Sequence, residues 1–403
     1  MLEHSDILEA RERVRETSRH TPLEHSHTYS SMTGADIRLK LENFQRTGAF
    51  KIRGATNRIA TLSAAQKEAG VVTASAGNHA QGVALAATRS GVDSKIVMPE
   101  HAPISKVKAT KSYGAEVVLS GRDYNEAAER AHELEREEDR TYVHAFDDEY
   151  IMAGQGTIGL EILEDCPDVE TVVVPIGGGG LISGIAVAIK EQQPDVRVIG
   201  VQANGASSAA ASLAKGERVS IDEVDTIADG IATRSIGEQT FPYIREYVDE
   251  VVTVSDPEIA VALVYLLERS KTLVEGAGAV PLAAVLFEKF DYAEDEVIVP
   301  ALCGGNIDLN TLANVIVRGL VETGRYLKIK TVLKDRPGAL DDLLDIFTEQ
   351  RVNIYAIHHD HTSRNVEMSD TEVELELEMR GPDHVDEFLS ALRDAGYEVD
   401  VLA

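Results

Sequence analysis

Over roughly the first 320 residues, short apolar runs alternate with alanine-rich amphipathic stretches, and this alternation limits the possible folds more than any other feature. Lys95 to Pro99, Glu116 to Leu119, Thr171 to Ile176 and Val196 to Val201 predict buried strands. Gln81 to Arg89, Tyr124 to Arg136 and Ile182 to Gln192 predict helices between them. Continuous apolar strands separated by helices imply an α/β architecture, with mostly parallel sheet wrapped on both faces. At 403 residues the chain is too long for one typical domain, so two or three are expected. Trp is absent and aromatics make up 5%, so the core must rest on Ala, Val, Ile and Leu.

The pattern changes near Gly324. Tyr326 to Leu333 predicts a strand, and Arg336 to Gly338 opens a helix in which Leu340, Leu343, Leu344 and Phe347 form one face. Val352 to His358 predicts a second strand. In Thr371 to Met379, Val373, Leu375, Leu377 and Met379 alternate with glutamates, as in a half-buried strand. Val385, Phe388, Leu389 and Leu392 repeat the helix stripe, and Tyr397 to Leu402 closes with a strand. The order βαββαβ is the ferredoxin-like unit. Nothing in it has a catalytic pattern. The run His358 to His361 offers two imidazoles, His359 and His361, to one strand face; without a third ligand no metal site is expected. His132 to Arg140 is acidic and predicts the solvated face of a helix.

The net charge of −29 opposes binding to phosphate backbones and anionic membranes, so neither nucleic acid nor membrane is expected as a partner. Fourteen Lys against 25 Arg on so acidic a chain suggest adaptation to high salt. Two cysteines, Cys166 and Cys303, make neither a disulfide framework nor a metal cage. The acidic start lacks the apolar core of a signal peptide, and no run is long enough to span a bilayer; a cytoplasmic location is expected.

Four motifs carry chemistry. Lys51 lies between Phe50 and Ile52 in the run Glu42 to Asn57; an apolar pocket would lower its pKa from about 10.4 toward neutrality. Gly177, Gly178, Gly179 and Gly180 follow a strand and precede a helix, where backbone N–H groups hold an anion. In Ser75 to Gly82 a strand again runs into a helix. Asn78 there can donate to a phenolate oxygen, and Ser75 with the N–H groups of Ala76, Gly77, Asn78 and His79 can hold a carboxylate. Turn and cap chemistry is the simpler reading of Asn78 and His79 taken alone. Cys303 ends an apolar strand: either a buried structural cysteine, or a thiol facing the ligand crevice at the strand's carboxyl end. An amine, an anion cradle, a phenolate donor and a weak ring-nitrogen partner together suit pyridoxal 5'-phosphate (PLP).

In this order and spacing the motifs resemble the PLP-dependent threonine ammonia-lyases (threonine dehydratases) of the fold-type II group, over about residues 5 to 320. Arg336 to Leu340 (R-P-G-A-L) resembles the start of an ACT domain, a small regulatory unit. The resemblance implies two open α/β sheets flanking a crevice within residues 1–322, a smaller lobe at about 54–148, and an ACT domain at 326–403. It implies Lys51 as the Schiff-base lysine, Phe50 beside the ring, and Asn78 on the phenolate oxygen. Gly177 to Gly180 with the Leu181 N–H would hold the phosphate, and Cys303 would take the place by the ring nitrogen often filled by serine. It further implies that freed Lys51 removes the α-proton of L-threonine and that the β-hydroxyl leaves with a proton from the cofactor phosphate. Released aminocrotonate then hydrolyses to 2-oxobutanoate and ammonia. An amino-acid effector at the ACT domain and a homo-oligomer, dimer or tetramer, are also implied.

Two departures stand out. Serine racemases need an acid/base serine on the opposite ring face, where this chain has Ala76, so racemisation is expected to be poor. Relatives with a divalent cation carry carboxylates after the strand ending at Val201, whereas Gln202 to Ser208 has none. The competing readings are a broader serine/threonine dehydratase of degradative role, a PLP β-replacement synthase, and a non-catalytic amino-acid sensor.

Overall fold

The computed structural model describes residues 1–360, 367 and 369–403. The chain divides into two compact units, Met1–Asp308 and Leu309–Ala403. The helix Leu309–Glu322, expected to close the first domain, contacts the strand Tyr326–Lys334 and groups with the second unit.

The first unit holds two sheets. The larger has the order Leu23–His25, Asp36–Lys40, Val297–Pro300, Thr171–Pro175, Arg197–Ala203, Glu250–Val254 and is parallel except at its first pair. The smaller, Glu116–Leu119, Ser94–Met98, Val71–Ala74, Thr141–Tyr142, is parallel throughout. The central strands are buried along their whole length, as their unbroken Val/Ile runs require of sheets covered on both faces. The helix Gly180–Lys190 is buried in all but its last residue, which fits its Ile, Ala and Val composition. Lys51–Ala60 packs into the core of the smaller lobe, where Ile52, Ala55 and Ile59 meet Val71, Val83, Ile96 and Val143.

Two residues after Lys51, Arg53 anchors a buried ionic network. The Arg53 guanidinium bonds Glu42 (2.7 Å) and Glu161 (2.6 Å), and Lys40 Nζ bonds Glu161 (2.8 Å). Burial alone would raise the Glu161 carboxyl; Arg53 and Lys40 reverse this and hold it below the usual carboxylate range.

The second unit carries a four-stranded antiparallel sheet in the order Asn353–Asp360, Asp370–Glu378, Tyr326–Lys334, Val399–Val401, with the helices Ala339–Gln350 and Pro382–Asp394. In the strand Asp370–Glu378, Thr371, Val373, Leu375 and Leu377 are buried. Outward Glu372 and Glu374 pair with Lys330 and Lys328 at 3.4 and 3.1 Å. The alternation in the sequence is thus the alternation of faces.

Candidate active site

Three strands of the first unit run directly into the motif loops. Val71–Ala74 leads to Ser75, Thr171–Pro175 to Gly177, and Val297–Pro300 to Cys303. Ligands bind at the carboxyl ends of parallel strands because loops there can diverge around a crevice.

Lys51 opens the helix Lys51–Ala60, and the Phe50 N–H donates to the Cys303 carbonyl at 3.2 Å, so the lysine and the cysteine loop are tied together. Lys51 Nζ donates to the Ala145 carbonyl at 2.9 Å and lies 5.1 Å from the centroid of the Phe50 ring. Burial pushes the amine down to about 8, against the opposing pull of Cys303 and Glu275. The Cys303 thiol is buried and donates to the Ala277 carbonyl at 3.5 Å. Burial, then Glu275, raise it above the usual thiol range, so it is neutral. A neutral thiol offers a ring nitrogen only a weak hydrogen bond.

The glycine loop is shaped by what lies against it. A Cβ on Gly178 would fall 2.3 Å from the Phe146 ring, and one on Gly180 would fall 2.6 Å from the Phe146 carbonyl oxygen. Gly179 sits at φ 97° as the N-cap of the helix Gly180–Lys190. The Gly178 carbonyl accepts from Thr240 Oγ1 (2.7 Å) and the Gly237 N–H (3.0 Å), which leaves the loop's N–H side toward the helix start. The first N–H groups of an α-helix have no partner within it, and those of Gly180 and Leu181 stand at this position.

In the asparagine loop Ser75 Oγ accepts from the Gly77 N–H at 3.1 Å. Ser75, Ala76, Gly77 and Asn78 are all half-buried at the start of the helix Asn78–Arg89. Asn78 Nδ2 donates to Glu275 Oε1 at 2.7 Å. His79 differs: its ring is buried and its Nε2 is bonded to the Val143 carbonyl at 2.9 Å. Burial, then Lys51, push this imidazole down to about 3, so it stays neutral. What His79 can give a carboxylate is its backbone N–H.

The segment His144–Asp147 carries no motif in the sequence, yet it touches both halves of the site. Ala145 receives Lys51, and Phe146 backs the glycine loop. The Asp147 carboxylate accepts from the N–H groups of Glu238 (3.0 Å), Gln239 (2.8 Å) and Thr240 (3.3 Å), capping the helix Thr240–Tyr247. Glu275 was missed as well; its buried carboxyl is raised, chiefly by burial. The glycines around it in Val274 to Gly278 were the available signal.

The residues fit PLP: an amine of lowered pKa, an anion cradle that side chains would fill, and an oriented amide. After Val201 the side chain of Gln202 is engaged within the protein: its Oε1 accepts from the N–H groups of Ala209 (2.8 Å) and Ala210 (3.1 Å). His358 and His359 lie on the strand Asn353–Asp360, and His361 lies outside the described residues. Among the described residues no group of three or more His, Cys, Asp or Glu could hold a metal ion, and no helix is long and apolar enough to cross a membrane.

Two sheets, a lysine of depressed pKa and a glycine cradle define a cofactor-dependent enzyme of the fold-type II kind, and the comparisons agree. The family model for pyridoxal-phosphate dependent enzymes matches residues 14–304. The chain is 52% identical to the L-threonine ammonia-lyase of Geobacter sulfurreducens over 402 residues, 100% of both chains. The processed form of threonine deaminase isoform 2 from Solanum lycopersicum superposes with a TM-score of 0.75 at 40% identity, covering 77% of this chain and 90% of that one. Maize serine racemase superposes with a TM-score of 0.75 at 38% identity, covering 79% and 98%. The chain belongs to the family of pyridoxal-phosphate dependent enzymes.

Proposed function

We infer that the chain is a threonine ammonia-lyase, converting L-threonine to 2-oxobutanoate and ammonia by β-elimination. The observation that carries the chemistry is Lys51, an amine held at about 8 beside Phe50 and Ala145. Identity over the full length with an L-threonine ammonia-lyase supports the choice of substrate. When bound, PLP supplies an aldehyde that captures the substrate amine and a ring that takes up the electron pair left at Cα. Neutral Lys51 would take the proton from Cα, and the β-hydroxyl would leave as water with a proton from the cofactor phosphate, which the proton held on Lys51 replaces over the turnover. Gly177 to Gly180 and the Leu181 N–H would hold the phosphate, Asn78 would donate to the phenolate oxygen, and the loop Ser75 to His79 would orient the substrate carboxylate. The Cys303 thiol, kept neutral by burial, would offer the ring nitrogen only a weak hydrogen bond, which would leave the ring a modest electron sink.

Likeness to a serine racemase raises a second reading. Racemisation needs an acid on the second face, and the methyl of Ala76 supplies none. The βαββαβ unit supports reading 326–403 as an ACT-type module for an amino-acid effector, which would place the enzyme at the entry to isoleucine synthesis in the cytoplasm, as a homo-oligomer. One assay tests these points: 2-oxo acid formation from L-threonine and L-serine, with chiral analysis of residual serine. The wild type, Lys51→Ala, and a chain ending at Gly324 are compared, each with and without isoleucine. Lys51→Ala is expected to lose at least about 10³-fold while keeping its circular dichroism. The shortened chain should stay active but ignore isoleucine. Substantial turnover by Lys51→Ala would remove the assignment; a colourless wild type that binds no PLP would favour the sensor.

A further inference from the structure

A chain of hydrogen bonds from three separate segments converges on Asn78. Asn306 Nδ2 donates to the Thr47 carbonyl at 2.6 Å and to Asn78 Oδ1 at 2.8 Å, and Asn78 Nδ2 donates to Glu275 Oε1 at 2.7 Å. The polarity of this chain is not arbitrary. A backbone carbonyl can only accept, so Asn306 must turn its amino group toward Thr47. The second hydrogen of that group meets Asn78 Oδ1, which leaves the Asn78 amino group toward the Glu275 carboxyl.

The surrounding backbone is shaped to hold this arrangement. Thr47 sits at φ 65°, ψ 9°, a left-handed conformation that costs a non-glycine residue of order 1 kcal/mol. Gly48 follows at φ 72°, and a Cβ there would lie 2.6 Å from Asn306 Oδ1. On the other side a Cβ on Gly304 would lie 2.5 Å from Glu275 Oε1. Two tight backbone approaches and one strained residue converge on the two side chains that flank Asn78.

We propose that Asn306 is a positioning residue: it fixes the amide of Asn78 as a donor, with one N–H spent on Glu275 and one left for the phenolate oxygen of PLP. This rests on the role given to Asn78 above. Asn306 acts through Asn78 and needs no contact with cofactor or substrate.

The test uses full-length holoenzyme in four forms: wild type, Asn78→Ala, Asn306→Ala and Asn306→Asp. It reads the visible absorption spectrum of bound PLP, the PLP dissociation constant by equilibrium dialysis, and near-UV circular dichroism for the fold. Asn306→Ala should shift the spectrum in the direction of Asn78→Ala and weaken PLP about three- to tenfold, the scale of one hydrogen bond. Asn306→Asp has nearly the same shape but cannot donate. It would draw the Asn78 amino group to itself and reverse the chain, so it should be the more severe change. A packing role alone requires the opposite order, with the isosteric Asp milder than Ala, and that order would overturn the proposal. Unchanged spectra in Asn306→Ala beside a shifted Asn78→Ala would also overturn it while sparing Asn78. If Asn78→Ala itself leaves the spectrum unchanged, the role of Asn78 fails and the proposal falls with it. Should Asn306→Asp not fold, the spectrum of Asn306→Ala decides.

Discussion

The amine of Lys51 donates to the backbone carbonyl of Ala145 at 2.9 Å. A carbonyl can hold the amine in either charge state, because it accepts from an ammonium, more strongly, and from a neutral amine. Desolvation then sets the protonation state, and it lowers the pKa from 10.5 to about 8.

The rate at which the unloaded chain captures PLP should follow this value. Only a neutral amine attacks an aldehyde, and at pH 7 about one lysine in ten is neutral at a pKa of 8, against about one in three thousand at 10.5. Capture should rise with pH and level off above about 8, as stopped-flow absorbance would show. A rate still climbing in proportion beyond about pH 9 would mean an ordinary lysine. The same depression bears on stability. Between about 8 and 10.5 the unfolded state binds more protons than the folded one, so this group's contribution becomes more favourable as pH rises.

Gly178→Ala should weaken PLP binding and lower the melting temperature together. Its Cβ would meet the Phe146 ring at 2.3 Å, well inside contact distance. Overpacking of this kind costs about 1–3 kcal/mol. Adding Phe146→Ala should restore part of the loss, so the pair is non-additive in a double-mutant cycle. Wild-type affinity in the single variant would show that the cradle is looser than it looks.

Arg53→Ala strands Glu42 as a buried charge without its cation and leaves Glu161 to Lys40 alone. Breaking such a pair costs about 3–5 kcal/mol, measurable by urea denaturation. The network also predicts acid sensitivity. The Glu161 carboxyl is held below its ordinary value, so its stabilisation is present above the usual carboxylate range and is lost as pH falls through the lowered value. A variant whose urea midpoint moves by less than the experimental error would show that the network contributes nothing net.

Added salt should raise the melting temperature. At −29 the surface repels itself, and screening shortens from about 10 Å at 0.1 M to about 3 Å at 1 M. Differential scanning calorimetry across a potassium chloride series tests this; full stability in dilute buffer would remove the case for adaptation to salt.

What could be read from the sequence was what local chemistry dictates. Gly177 to Gly180 announce a backbone that must come close to something, and the alternation of Val373, Leu375 and Leu377 announces a half-buried strand. Asn78 and Lys51 stand out in the sequence because their neighbours are distinctive. Glu275 does not, because its partner Asn78 lies 197 residues away and neither position carries a local signal of the other. Asp147 hides in the same way, capping a helix that begins 93 residues later. An amphipathic helix such as Leu309–Glu322 reads alike in either unit, so the sequence pattern alone cannot assign it.

The stretch His144–Asp147 has a consequence for how such enzymes can change. Consecutive residues serve the lysine, the glycine loop and the helix that steadies that loop, so no one position in it can vary as an independent trait. Laboratory evolution aimed at new substrates should find that winning substitutions here arrive as a linked block, with single steps between blocks less fit than either end.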